Sequence, residues 1–154
     1  VQRLDLAGAD VTEYLVKTLK TESSAFASMF GSSSNPNSSE REMVSDIKQK
    51  LCYVALDYYD EIKKAEQSID LEAVYELPDG QKITIKKERF ECTEIMFDPY
   101  KVGNEEEGIH SLLNKSVRKC DEDIRRDLWM NVVLSGGNTM IEHFDERLKK
   151  EIRK

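Results

Sequence analysis

The chain is 154 residues long, 39% apolar and 34% charged, with 30 acidic against 23 basic side chains and a net charge of −7. That length suits one domain with a sizeable core. The acidic balance (pI about 5.0) argues against nucleic acid or an anionic membrane surface as a partner, because both repel it. No apolar run approaches the ~20 residues of a membrane span, and Val1-Gln2-Arg3-Leu4-Asp5 does not begin a targeting segment. Val1 is no initiator, so a piece of a longer protein is expected. Cys52, Cys92 and Cys120 form no Cys-x-x-Cys, and His110 and His143 lack ligand spacing. Reduced, mostly buried thiols are therefore expected, and no metal site.

In chain order, residues 1–6 alternate apolar and polar and predict a strand end. Asp10-x-x-Glu13 reads as a capping box opening a helix to about Lys20, with Val11, Tyr14, Leu15 and Leu19 as its apolar face. Residues 21–40 end in a Ser/Asn/Pro stretch with no apolar content, which predicts a mobile surface loop. Ser39-x-x-Glu42 is a second box, and Met43, Ile47, Leu51, Val54 and Ala55 mark the buried stripe of the helix it starts. Tyr58-Tyr59-Asp60 is expected to end or bend that helix, before a short charged helical piece at 61–66.

Two alternating runs, 73–77 and 81–85, flank Pro78-Asp79-Gly80 and predict a β-hairpin. Short helical turns at 88–90 and 94–97 stop at Asp98-Pro99, and a polar, acidic loop runs from Tyr100 to Gly108. Ile109, Leu112, Leu113 and Val117 mark an amphipathic helix. Asp121, Glu122 and Asp123 crowd the start of the next, where the helix dipole favours negative charge, with Ile124, Leu128 and Trp129 as its apolar residues. The run 131–135, apolar on both faces, predicts a buried central strand with residues 1–6 as its plausible neighbour. Gly136-Gly137 follows, and a last helix is expected to bury Ile141, Phe144, Leu148 and Ile152. Strand, glycine turn, then helix is the order by which α/β folds bring backbone close to a nucleotide.

Five ordered blocks closely resemble actin: Arg3-Leu4-Asp5-Leu6-Ala7-Gly8, the run from Ile47 to Asp57, Tyr75-Glu76-Leu77-Pro78-Asp79-Gly80-Gln81, Glu88-Arg89-Phe90, and Val133-Leu134-Ser135-Gly136-Gly137. The resemblance spans essentially the whole chain. It implies a helix-rich α/β piece of the actin-like ATPase fold, with several amphipathic helices, a β-hairpin and a truncated central sheet. Residues 1–9 would be the end of a subdomain 3 strand and its junction. Residues 10–105 would resemble subdomain 4, with an inserted mobile loop at 21–40 and the hairpin at 73–85. Residues 106–154 would be part of subdomain 3. The two phosphate-binding hairpins of the family lie outside these blocks.

The resemblance further implies that Gly8, Lys48, Gly136 and Gly137 line an adenosine pocket, with Gln49, Asn138 and Ile141 at positions where actin has a glutamate, a threonine and a tyrosine. Ser45 stands where actin has an arginine beside the base. ATP with a divalent cation, magnesium or calcium, would be the cofactor of the intact protein, which would be a slow ATPase; this stretch would bind none by itself and carry no catalytic residue. Pro78, Asp79, Gly80 and Gln81 resemble a contact between subunits along a filament strand. Tyr100, Lys101 and Val102 lie where actin has an apolar plug between strands, here made polar by Lys101 and Glu105-Glu106-Glu107. The implied partners are other actin-like subunits and actin-binding proteins, in a cytoplasmic cytoskeleton. A non-polymerising actin-related subunit of a larger complex is the alternative. A self-sufficient phosphotransferase is excluded by the lack of a Gly-x-x-x-x-Gly-Lys loop.

Overall fold

The computed structural model describes residues 1–31 and 36–153. The polypeptide folds as helices α1 (Gly8–Glu22), α2 (Ser24–Phe30), α3 (Ser38–Leu51) and α4 (Tyr58–Gln67), strands β1 (Ala73–Glu76) and β2 (Lys82–Ile85), then helices α5 (Glu88–Glu94), α6 (Ile109–Arg118), α7 (Glu122–Met130) and α8 (Phe144–Ile152). Short 3-10 turns sit at Pro99–Val102 and Gly137–Met140. The helix-rich α/β class expected from the sequence is the one observed.

α1 packs on α3 and α5, and its face of Val11, Leu15, Val16 and Leu19 is buried. These meet Val44 and Ile47 of α3, Ile83 and Ile85 of β2, and Cys92, Ile95, Met96 and Phe97 in one core that Phe144 and Leu148 of α8 complete. A smaller cluster of Tyr53, Ala55, Ala65 and Phe90 lies under α4. Lys20 of α1 and Glu40 of α3, both largely buried, form an ion pair 2.5 Å apart between the two helices.

The hairpin forms where the alternation placed it, antiparallel and in register Ala73↔Ile85, Val74↔Thr84, Tyr75↔Ile83, Glu76↔Lys82. Ile83 and Ile85 face the core, while Val74 points to solvent. Gly80 has φ +85°, a conformation that a side chain disfavours, and its N–H donates to Leu77 O at 2.9 Å.

Several expectations are corrected. The helix starts lie two or three residues earlier than predicted. α1 begins at Gly8, with Asp10 Oδ2 accepting from Ala7 N–H at 2.7 Å, so Asp10 is the reaching-back partner and not the cap. α3 begins at Ser38, capped by Asn37, whose Oδ1 accepts from Glu40 N–H at 2.9 Å while Glu40 Oε2 accepts from Asn37 N–H at 2.8 Å. α3 stops at Leu51; Val54 and Ala55 are buried in extended chain that follows, joined to Glu142 by a parallel bridge at Tyr53. Tyr58 and Tyr59 open α4 and do not end α3.

Much of the 21–40 span expected as a loop is helical: Thr21 and Glu22 finish α1, residues 24–30 are helix α2 with Phe26 fully buried, and α3 has begun by Ser38. Ser32 to Asn35 lie outside the described residues. Neither residues 1–6 nor 131–135 pair as strands; Val133 is 86% exposed, because no described strand lies alongside to take its hydrogen bonds. The apolar residues of α7, Ile124 and Leu128, are likewise exposed.

Gly108 is needed for space. It caps α6 with φ −62°, an ordinary value, but a Cβ there would lie 2.1 Å from Phe97 O. Backbone on both sides has to shift to admit it. Gly108→Ala is expected to cost about 1–3 kcal/mol, read as a lower urea midpoint at unchanged slope; an unaltered midpoint would contradict this packing.

Candidate functional site

The first turn of α1 is the floor of the site. Gly8 O accepts from Thr12 Oγ1 at 2.9 Å, a bond between successive turns of the helix. Lys48, one turn before the end of α3, reaches across: its Nζ donates to Gly8 O at 2.9 Å and to Thr12 Oγ1 at 2.9 Å. The ammonium is thus fixed by two neutral oxygens while its stem lies along the α1–α3 seam. A Cβ on Gly8 would sit 2.8 Å from Asn138 Oδ1 and 3.4 Å from Lys48 Nζ, so Asn138, carried in by the Gly137–Met140 turn, rests directly on this turn of α1. Three of the expected adenosine residues, Gly8, Lys48 and Asn138, therefore come together from positions far apart in the chain.

The others are dispersed. Gln49 turns to the adjacent groove, where its amide donates to Ser45 Oγ at 3.3 Å beside Tyr75 and Pro78. Gly136 and Gly137 are exposed, and a Cβ on either would meet nothing within 4 Å. Gly136 takes φ +103°, which only glycine adopts readily, and its carbonyl accepts from Thr139 Oγ1 at 2.7 Å. Ile141 packs half-buried against the main core.

A cleft of about 330 Å³ opens beside Lys48, lined by Gly8, Ala9, Thr12, Glu13, Arg41, Ser45 and Lys48. Arg41 and Glu13 close its rim with a 3.0 Å ion pair, each half exposed. Two of these residues were not singled out from sequence. Thr12 lies four residues after Gly8, on the same helix face, and Arg41 lies four before Ser45, the position where the related family has arginine; that spacing was the signal that could have found them. A larger cleft of about 900 Å³ shares Glu13 and Arg41 with it and extends between α1 and the 99–104 turn, taking in Tyr14 and Lys101.

The expected subunit-contact residues occupy two separate projections. Pro78, Asp79, Gly80 and Gln81 form the exposed hairpin tip, held by Asp79 Oδ1 accepting from Gln81 N–H at 2.9 Å. On the second, Tyr100 and Val102 face outward, but Lys101 turns inward. Its Nζ stands 4.1 Å from the centroid of the Tyr58 ring and donates to the Tyr58 hydroxyl at 2.9 Å. Burial works against the Lys101 charge, and the Tyr58 hydroxyl with neighbouring groups outweighs it, holding this amine above its ordinary value. Burial likewise pushes the Tyr58 hydroxyl up. The lysine that makes the plug position polar in sequence therefore keeps its charge but turns it inward onto Tyr58.

Among the described residues, no three His, Cys, Asp or Glu side chains gather as a metal-holding group, and no helix is long and apolar enough to cross a membrane. Comparison with protein-family models matches residues 1–154, the whole chain, to Actin. The helix order, the hairpin and the Gly8–Lys48–Asn138 junction sit within that match, and the chain belongs to the actin family.

Proposed function

We propose that this chain supplies one wall of an adenine-nucleotide site in an actin-like protein that binds ATP with a divalent cation and assembles into cytoskeletal filaments in the cytoplasm. The observation that carries the reading is the clasp of Lys48 on Gly8 O and Thr12 Oγ1, with Asn138 against the same turn. An ammonium positioned this way can donate its remaining N–H to a ribose hydroxyl while its stem shields one face of a base. Gln49 and Ser45, in place of the family's charged residues, leave the pocket with fewer charge-assisted bonds. The cleft offers no nucleophile–base pair, so hydrolysis would be performed by groups other than those on this wall.

Equilibrium binding of ATP with magnesium to the intact protein tests this. Lys48→Ala is expected to weaken binding by about tenfold or more. Absence of binding by the unaltered protein would defeat the nucleotide reading, and equal binding by the variant would remove Lys48 from the site. The second reading, a non-polymerising subunit of a larger complex, is favoured by the acidic Glu105-Glu106-Glu107 run beside the expected cross-strand contact and by Gln49 and Ser45 where the family's pocket has charged residues. Sedimentation under polymerising salt separates the two: pelleting supports filaments, and persistent failure to pellet supports the complex.

A further inference from the structure

Cys52 and Cys92 stand forty residues apart in sequence, yet their sulfurs lie 3.6 Å apart in the buried core. The backbones that carry them are fixed against each other by three bonds. Tyr53 N–H donates to Arg89 O at 3.2 Å, Thr93 Oγ1 donates to Tyr53 O at 2.7 Å, and Arg89 Nε donates to Leu51 O at 2.7 Å. A disulfide needs its sulfurs at about 2.05 Å, so the pair is short of bonding distance by roughly 1.5 Å, within reach of side-chain rotation. The third cysteine, Cys120, lies two residues past the end of α6, with its thiol directed to Ser116 O at 3.5 Å.

We propose that Cys52 and Cys92 are a redox-closable pair, oxidised by a small peroxide to a disulfide that ties the end of α3 to α5. Cys52 is the point of entry, since it is 7% exposed against 1% for Cys92. The Cys52 thiolate attacks one oxygen of hydrogen peroxide; the O–O bond breaks, and the departing hydroxide takes up a proton as water, leaving Cys52 as the sulfenic acid. The Cys92 sulfur then attacks the Cys52 sulfur. The S–S bond forms, the S–O bond breaks, and the hydroxide leaves as water with the Cys92 proton. Two thiols lose two electrons and one peroxide is reduced to two waters. The Cys92 thiol is held well above its ordinary value, first by its bond to Cys52 and then by burial, which makes it the protonated member of the pair. Closure fastens the helix that carries Lys48, because Cys52 is the C-cap residue whose N–H donates to Lys48 O at 3.2 Å.

The test is peroxide treatment of the chain, folded and in guanidinium chloride, followed by thiol blocking and peptide mapping. In the folded chain, the cross-linked product is expected to be Cys52–Cys92 alone, with Cys120 still blockable and reduction restoring all the thiols. In guanidinium, pairings with Cys120 should appear as well. The Cys120→Ser variant, when folded, should lose about 2 Da and take up no blocking reagent until reduced. Identical product mixtures in the two solvents, or Cys52 and Cys92 both remaining blockable in folded Cys120→Ser, would overturn the proposal.

Discussion

Arg147→Ala is expected to lower the unfolding free energy by about 3–5 kcal/mol. The guanidinium is 8% exposed and the Glu94 carboxylate facing it 6%. Its Nη1 donates to Glu94 Oε2 at 2.9 Å and to Ala55 O at 2.6 Å, its Nη2 to Glu94 Oε1 at 2.7 Å, and its Nε to Glu151 Oε1 at 2.8 Å. The carbon at its centre lies 4.8 Å from the centroid of the Phe97 ring. One side chain thereby ties α8 to α5 and to the extended segment after α3. Alanine removes the cation and leaves a buried carboxylate and a buried carbonyl without it, and that is the costly half of breaking a buried pair. Arg147→Met combined with Glu94→Gln should be less destabilised than the sum of the two single changes, since the double variant no longer strands the Glu94 charge. Additive losses would show that the two side chains act independently.

The same pair sets a pH dependence. Burial pushes the Glu94 carboxyl above its usual range, and Arg147 holds it back. A carboxyl raised in the folded state favours folding below its unfolded pKa and loses that contribution as pH rises through the folded value. Without Arg147 the carboxyl rises further, so the variant loses more stability at neutral pH than in acid. The gap in urea midpoint between wild type and Arg147→Ala should narrow as pH falls from 7 toward the ordinary glutamate range near 4.3. A gap that stays constant across that window would mean Glu94 is not the stranded charge.

None of this junction was visible in the periodicity. Arg147 reads as part of a basic last turn, and Glu94 as the first residue of a short helical turn at 94–97; only the fold, by bringing Arg147 of α8 to the end of α5, turns them into a buried pair. The hairpin was legible because strand alternation and Pro-Asp-Gly agree locally. Helix faces at Val11, Leu15 and Leu19, and at Leu113 and Val117, were legible for the same reason. Helix starts were misplaced because Asn37, Ser38 and Ser39 are all competent caps, with acids at both Glu40 and Glu42 as candidate partners. Sequence offers no measure of which backbone bends first.

The run from Leu51 to Ala55 misled in another way. Val54 and Ala55 follow Leu51 at three and four residues, which is helical spacing, but they are buried on extended chain because Tyr53 bonds to Arg89 and Val54 N–H donates to Glu142 O at 2.9 Å. Tertiary pairing overrode the local pattern there. At 131–135 the reverse holds: strand propensity is high, but a strand exists only with a neighbour, and among the described residues none is present. The Gly8–Lys48–Asn138 meeting was legible only through the resemblance to a family, because no periodicity relates residues 40 and 90 positions apart.

Phe26→Ala puts the largest of those differences to a test, since the sequence predicts a solvated loop where α2 is found. The Phe26 ring is fully buried, 4.9 Å from the Phe30 ring, among the apolar residues of α1 and β2 that form the core. α2 itself is short, and its Ser23 cap accepts from Phe26 N–H at 3.3 Å through the hydroxyl and from Ala27 N–H at 3.0 Å through the carbonyl. A seven-residue helix has too few internal bonds to persist by itself, so its order comes from docking this ring. Removing the ring leaves a cavity and is expected to cost about 3–5 kcal/mol. Ser28→Ala, on the exposed side of the same helix, should stay within about 0.5 kcal/mol. Amide exchange gives a second readout: the Gly31 N–H, which donates to Ala27 O at 2.8 Å, should lose its protection in Phe26→Ala before the α1 amides do. If Phe26→Ala proved as mild as Ser28→Ala, residues 24–30 would be a loop lying on the core and not part of it.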